Sequence, residues 1–373
     1  MKVLHVHSGN MFGGIERMLE TLAPAIAGVA PVGSTFALCF GGAVAHRLRA
    51  AGATVHVLGA VHARQLSEIR QARRALAGVL QPEAWDAVLV HSAWSQAIFG
   101  PTILNSRVPL VRWLHAPQPG PRVLEFWARR SRPALVLCNS QYTADHGRAQ
   151  IAGVPHVVQY PPSVMRARRP DVRVKVRGSL ATPLDTTVVV LAARLEAGKG
   201  HSLLIEALAG LPDRSWEAWI VGGAQHADEQ TYLDGLRALA GAAGLSGRIR
   251  FLGQRTDVAE LFEAADVYCQ PNVAPDSFGL SFIEALAAGL PVVTARLGAA
   301  PEIVDSTCGT LVPAGSAPAL TAALARLIER ADERRTLSAG ARARARKFCD
   351  VPASLFQLAG QLAHLQTRVP ALI

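Results

Sequence analysis

Short apolar runs alternate with longer stretches whose apolar positions recur at helical spacing. Residues 3–6, 35–40, 55–58, 87–90, 110–114 and 135–138 read as buried strands. Between them, residues 15–27, 65–80 and 141–151 read as helices. The pattern breaks near Tyr160-Pro161-Pro162 and then restarts. Strands are expected at 187–192, 217–221, 250–252, 267–269 and 292–295, with helices at 201–209, 230–242 and 282–288. Helices within 317–346 and at 353–366 close the chain. Strands alternating with helices imply parallel sheets covered on both faces. In such open sheets, ligands bind beyond the carboxyl ends of the strands.

The 373 residues suit two domains at roughly 150 residues each. Half the residues are hydrophobic and 18% are charged, enough apolar content for large cores, which excludes a disordered or fibrous chain. The stretch 166–177 holds Arg166, Arg168, Arg169, Arg173, Lys175 and Arg177 against Asp171 alone, and reads as a basic linker covering 166–178. It divides a first domain, 1–165, from a second, 179–351.

With 38 basic and 28 acidic residues, the net charge of +10 favours polyanions: a phosphate-bearing substrate, an anionic membrane face or nucleic acid. The two basic runs, 166–177 and 341–347, have no interleaved aromatic residues, which argues against nucleic acid. They read first as solvated faces, and second as a face for anionic lipid. Cys39, Cys138, Cys269, Cys308 and Cys349 are odd in number and lack a Cys-x-x-Cys pair. This points to a reducing, cytoplasmic setting rather than a disulfide framework or zinc site. Residues 1–7 read as a first strand rather than a signal peptide. No run of ~18 uninterrupted apolar residues predicts a membrane span.

Four segments carry chemistry. Ser8 to Glu16 places Gly13 and Gly14 before a helix, which suits either an anion site or an ordinary tight turn. His115 ends a strand ahead of a Pro-rich loop, and is either a ligand donor or a loop histidine bonded to backbone. For His5, His7 and His91, among 12 histidines in the chain, only the second, non-functional reading is kept. Arg194-Leu195-Glu196-Ala197-Gly198-Lys199-Gly200-His201 puts two cations around a turn at a helix start, an arrangement that fits a diphosphate. Lys199 stands out in a chain whose only other lysines are Lys2, Lys175 and Lys347. Residues 271–293 carry Asp276 in a loop and Glu284 in the helix that follows, a pair suited to sugar or ribose hydroxyls. No Asp-x-Asp triplet or metal-spaced His or Cys pair occurs, and no Gly-x-Ser-x-Gly elbow.

Together these segments resemble the retaining nucleotide-sugar glycosyltransferases of family 4, with the GT-B fold, over nearly the whole chain. The most specific parts are 194–200 and 277–293, followed by Gly298-Ala299-Ala300-Pro301-Glu302. The resemblance implies two Rossmann-like domains with parallel sheets facing across a cleft. It also implies a last helix, about 352–373, that returns to the first domain. Transfer of a sugar from a UDP- or GDP-sugar to a glycan or lipid-linked acceptor is implied, with retention and without metal or other cofactor. A peripheral place on the inner face of the plasma membrane follows if the acceptor is lipid-linked.

By the same resemblance, Arg194 and Lys199 hold the diphosphate, and Glu284 the ribose. Phe278, Gly279 and Leu280 surround sugar and phosphate. Gly13 and Gly14 approach the phosphates, His115 and Asp276 touch the donor sugar, and Gln254 and Arg255 lie near the base. The family usually has glutamate where this chain has Asp276. A sugar-nucleotide hydrolase or epimerase on the same architecture is the alternative, and a basic membrane- or nucleic-acid-binding protein is a further one.

Overall fold

In the computed structural model, residues 1–9, 13–24, 31–62, 65–81, 84–116, 120–167, 169–212 and 215–366 are described. The chain divides into two compact units, Met1–Ser163 with Asp350–Ile373, and Val164–Cys349.

The first unit holds a sheet of β1 (Lys2–His7), β2 (Gly33–Leu38), β3 (Val55–Val57), β4 (Ala87–Val90), β5 (Leu110–Leu114), β6 (Leu135–Cys138) and β7 (His156–Val158). Its order is β3-β2-β1-β4-β5-β6-β7, and every pairing is parallel. β4, β5 and β6 are buried along their whole length, as their unbroken apolar sequences require of strands covered on both faces. One face packs Val3, Phe36, Leu89 and Trp113 beneath the helix Gly14–Leu22. The other packs Leu4, Val88 and Leu110 against Ile69, Leu76 and Phe99. Each fully buried Leu or Val side chain contributes roughly 1.5–3 kcal/mol.

The last helix, Val351–Gln366, covers the first of these faces with Leu355, Leu358, Leu362 and Leu365. Gln357 and Gln361 donate side-chain amides to the Val158 carbonyl, and Gln159 donates to Ser354.

The second unit holds β8 (Thr187–Ala192), β9 (Trp216–Val221), β10 (Ile249–Gly253), β11 (Val267–Gln270), β12 (Val292–Ala295) and β13 (Gly309–Val312). Its order is β10-β9-β8-β11-β12-β13, again all parallel. In both sheets the strand order reverses beside the first strand, between β1 and β4 and between β8 and β11. These are the topological switch points of two Rossmann-like folds, and a crevice opens there at the carboxyl ends.

The basic stretch is not a linker. Residues Pro170–Ser179 form a helix of the second unit. Arg169, Arg173 and Arg177 fall at helical spacing and face acidic partners. Arg169 pairs with Glu260 and Glu263, Arg173 with Asp266, and Arg177 with Asp266 at 2.6 Å. Arg177 is fully buried and also donates to the carbonyls of Ala264, Pro183, Leu184 and Thr186. The second basic run is likewise partly spent inside this unit. Arg342 donates to the Ala287 carbonyl, and Arg344 to those of Glu302 and Ile303. Arg168 lies outside the described residues.

The closing helical stretch is two helices, Ala317–Glu329 and Ala331–Arg346, broken where Arg330 adopts extended backbone. The expected helix 15–27 is Gly14–Leu22 in the structure, and residues 25–27 lie outside the described ones. Among the described residues no helix is long and apolar enough to cross a membrane.

Replacing Arg177 takes one of two arginines from Asp266 and removes the donor to four carbonyls. Arg177→Met is expected to destabilise the second unit by about 3 kcal/mol, read as a lower denaturant midpoint. An unchanged midpoint would show that the buried guanidinium is dispensable.

Candidate functional site

In the second unit the chemistry gathers at the carboxyl ends of β8 and β11. β8 leads through Arg194 into a short 3-10 turn, Ala197–Lys199. The carbonyl of Gly198 accepts the amides of Val273 and Ala274, at 3.0 and 3.2 Å, so the turn is tied to the loop after β11. Gly200 has φ +79, and a Cβ there would stand 2.1 Å from the Pro271 carbonyl oxygen. Only glycine fits this junction, because left-handed backbone and a close approach coincide.

The junction brings two of the expected residues together. Lys199 Nζ donates to Asp276 Oδ2 at 2.7 Å, with both side chains mostly shielded from solvent. Gly298, with φ +60, backs the same loop, and its following amide at Ala299 donates to the Asp276 carbonyl at 3.0 Å. A Cβ on Gly298 would lie 2.3 Å from that carbonyl oxygen.

Beneath the loop runs a buried polar chain. Tyr268 donates to Gln270 at 2.7 Å, Gln270 donates to Asn272 at 2.8 Å, and Ser281 donates to Gln270. Thr294 donates to the Gln270 carbonyl. Burial, with the charges of Asp276 and Glu284 nearby, pushes the Tyr268 phenol above its ordinary range. The phenol thus stays neutral.

Glu284 is half-buried on the helix Leu280–Ala288, which starts at Gly279 with φ +92. Phe278 is buried, and Leu280 is the helix's first residue. Their backbone amides stand at that helix start, where orphan N–H groups meet a ligand.

Arg194 is different. It is half-exposed and paired with Glu196 at 2.5 Å, not with Asp276. Gln254 and Arg255 lie beyond β10, the edge strand, with Arg255 held by Asp257 through two bonds at 2.8 and 2.6 Å. That pairing holds the Asp257 carboxyl below its usual range. His201, just past Lys199, is buried, and burial lowers it to about 4, with Lys199 pushing the same way. It adds no positive charge near neutral pH. Among the described residues no three His, Cys, Asp or Glu side chains are grouped to hold a metal ion.

The first unit presents a second cluster at its own switch point. Gly13 is extended and caps the helix Gly14–Leu22, its carbonyl accepting the Arg17 amide at 3.1 Å. Glu16, on that helix, accepts from His7 Nε2 at 2.7 Å. Burial raises the Glu16 carboxyl, but the His7 bond and charge outweigh it, and the group ends below its usual range. His115 follows β5 and is only partly exposed, and Asn139 donates to its carbonyl at 3.1 Å. Its ring meets His91 at 3.0 Å, and His91 meets His5 at 3.0 Å. Burial lowers His115 to about 3, with His7 and Arg112 adding to the effect.

The reading that gave His5 and His91 no functional role therefore missed their link to His115. Their positions held the signal, since His91 follows β4 as His115 follows β5. Residues 117–119 of the Pro-rich loop lie outside the described residues, as do residues 10–12.

Residues 172–344 match the profile of the family described as glycosyl transferases group 1. A phosphatidyl-myo-inositol mannosyltransferase of Mycobacterium leprae is 40% identical over 175 residues, 46% of this chain and 45% of that protein. A D-inositol 3-phosphate glycosyltransferase of Xylanimonas cellulosilytica is 31% identical over 283 residues, 73% of this chain and 65% of that protein. The chain thus spans about half to two thirds of these curated relatives. Among solved structures, Anabaena HepE in complex with UDP and glucose superposes with a TM-score of 0.85 at 26% identity, covering 98% of this chain and 100% of that one. A glycosyltransferase from Rickettsia africae has a TM-score of 0.85 at 17% identity and shares the architecture, the two-unit GT-B fold.

The Asp276 loop depends on Gly298. Gly298→Ala is expected to cost about 2 kcal/mol in strain and contact, lowering the melting temperature and detaching Asp276 from Lys199. Unchanged melting would show that the loop does not need this approach.

Proposed function

We propose that this chain, which belongs to the group 1 glycosyl transferases, moves a sugar from a nucleotide-diphosphate sugar to a glycan or lipid-linked acceptor with retention of anomeric configuration. The observation that carries the reading is Lys199 held by Asp276 at the switch point between β8 and β11. An ammonium has three N–H donors, so Lys199 can keep Asp276 while gripping a phosphate oxygen. Arg194 joins it by leaving Glu196, a partly exposed pair worth little. Glu284 takes the ribose hydroxyls, and the amides of Phe278, Gly279 and Leu280 take phosphate and sugar. His115 and Asp276 contact the donor sugar, Gly13 and Gly14 the phosphates, and Gln254 and Arg255 the base. The UDP and UDP-glucose complexes of HepE support a uridine donor.

In the reaction, the bond from the anomeric carbon to the phosphate oxygen breaks, leaving negative charge on the diphosphate. Lys199, Arg194 and the nearby backbone amides stabilise that charge as it develops, in place of a divalent ion. The acceptor hydroxyl forms the new bond on the same face, and its proton passes to the departing phosphate oxygen. No side chain is assigned as a covalent nucleophile. A hydrolase would instead release free sugar when no acceptor is present, and an epimerase would return a changed sugar nucleotide.

A lipid-linked acceptor is supported by one surface of the first unit. The helix Arg122–Arg129 exposes Val123, Phe126 and Trp127, each at least half accessible. The Arg130 guanidinium lies 4.3 Å over both aromatic rings. Apolar rings framed by arginines suit an anionic bilayer surface, and the mannosyltransferase relative is named for a phosphatidyl acceptor. This helix replaces the basic runs 166–177 and 341–347 as the lipid-facing candidate.

Three measurements test the reading. Lys199→Ala is expected to weaken UDP and GDP binding tenfold or more, given roughly 1.5–3 kcal/mol for a bond to a charged group; equal affinity removes the diphosphate assignment. Anomeric proton coupling in the product is expected to match the donor's configuration, and inversion rejects retention. Sedimentation with phosphatidylglycerol vesicles is expected to fall several-fold for the Phe126→Ser/Trp127→Ser double variant, and unaltered binding rejects the lipid face.

A further inference from the structure

Four histidines of the first unit, His5, His7, His91 and His115, project from one face of its sheet. His5 lies opposite Phe36 on β2 and opposite Leu89 on β4. Side chains two residues apart share a face. His91, two residues beyond Leu89, is therefore on the side of His5, one step along the strands. The pairing of Val90 with Arg112 sets the next step, so His115 continues the same diagonal on β5. Diagonal neighbours across strands are within reach of long or aromatic side chains.

The rings stack accordingly: Phe36 on His5 at 5.2 Å, His5 on His91 at 5.2 Å and His91 on His115 at 5.2 Å. Their nitrogens meet in series. His5 Nδ1 lies 3.0 Å from His91 Nε2, and His91 Nδ1 lies 3.0 Å from His115 Nε2.

All three rings are held neutral by burial, His5 at about 3 and His115 at about 3, with His91 also well below its ordinary value. His7 and Glu16 lie on the same side of the sheet as the row and bond to each other, while Arg112, on the opposite face of β5, donates to Gln96. A neutral imidazole carries one proton, so it donates from one nitrogen and accepts at the other. Both bonds can then form in only two ways. In one, protons point from His5 toward His115, which leaves His115 with its proton on Nδ1. In the other they point back, His115 has a bare Nδ1, and His5 carries its proton on Nε2.

Among the described residues, the buried His5 Nε2 has no partner. The second arrangement would seal an N–H donor there, and orphaned buried N–H groups are rare. The first leaves only a bare ring nitrogen. We propose that His5 and His91 are positioning residues that fix His115 in the tautomer whose Nδ1–H is offered as a hydrogen-bond donor. The relay stands on the first unit alone. Only its use, donation to a hydroxyl or other oxygen of the donor sugar, rests on the transferase reading.

The test is nitrogen-resolved NMR on the full chain with 15N-labelled histidine, without ligand, with His115→Gln used to assign the resonances. Wild type is expected to show His115 protonated on Nδ1 and bare at Nε2. His91→Phe keeps an aromatic ring in the row but has no nitrogen, and is expected to populate the Nε2–H form of His115. A wild-type His115 protonated on Nε2 overturns the proposal, and so does an undivided Nδ1–H population in His91→Phe. If that variant does not fold, the wild-type spectrum alone decides. Because no nucleotide is added, failure here is separate from failure of the diphosphate assignment.

Discussion

The carbonyl oxygen of Gly198 accepts two amides from the loop after β11, and what the second unit presents to a ligand depends on that junction. Without it, the turn bearing Lys199 and the loop bearing Asp276 would be independent surface segments. With it, an ammonium and a carboxylate share one point above a buried polar chain. The constraint is backbone against backbone, which explains why glycine stands at 200 and 298. Strand order supplies the rest, since β8 and β11 are neighbours in the sheet and bring their following loops together.

The partly exposed Lys199–Asp276 pair adds little to stability. Its meaning is organisational. A lysine already directed by a carboxylate loses less side-chain freedom on meeting a phosphate than a free one would. Arg194 has no comparable fixing, since its partner Glu196 is only two residues away and both remain accessible. The two cations that look equivalent in sequence therefore differ in the structure, one pre-placed and one that must turn.

Much of this was readable from the chain. Alternating apolar and amphipathic stretches gave β1–β6 and β8–β12 but not the short edge strands β7 and β13, and the resemblance at 194–200 and 277–293 fell on the loops that meet at the switch point. Three things were less legible. Arg169, Arg173 and Arg177 share one helical stripe, but the carboxylates they face come about ninety residues later, so their charge reads as solvated until the chain folds. His5, His91 and His115 meet only through register across three strands, which no local pattern encodes. The exposed rings of Phe126 and Trp127 look like core residues in sequence, and only the placement of their helix shows otherwise.

The helix Val351–Gln366 has a consequence for how the protein is made. Its leucines complete the apolar core on one face of the first sheet, yet they leave the ribosome after the whole second unit. The first sheet must therefore wait, with a strip of its interior uncovered, while nearly two hundred residues are synthesised and folded. During biosynthesis this strip is the natural place for a chaperone to bind, and truncation just before residue 351 would make that transient state permanent.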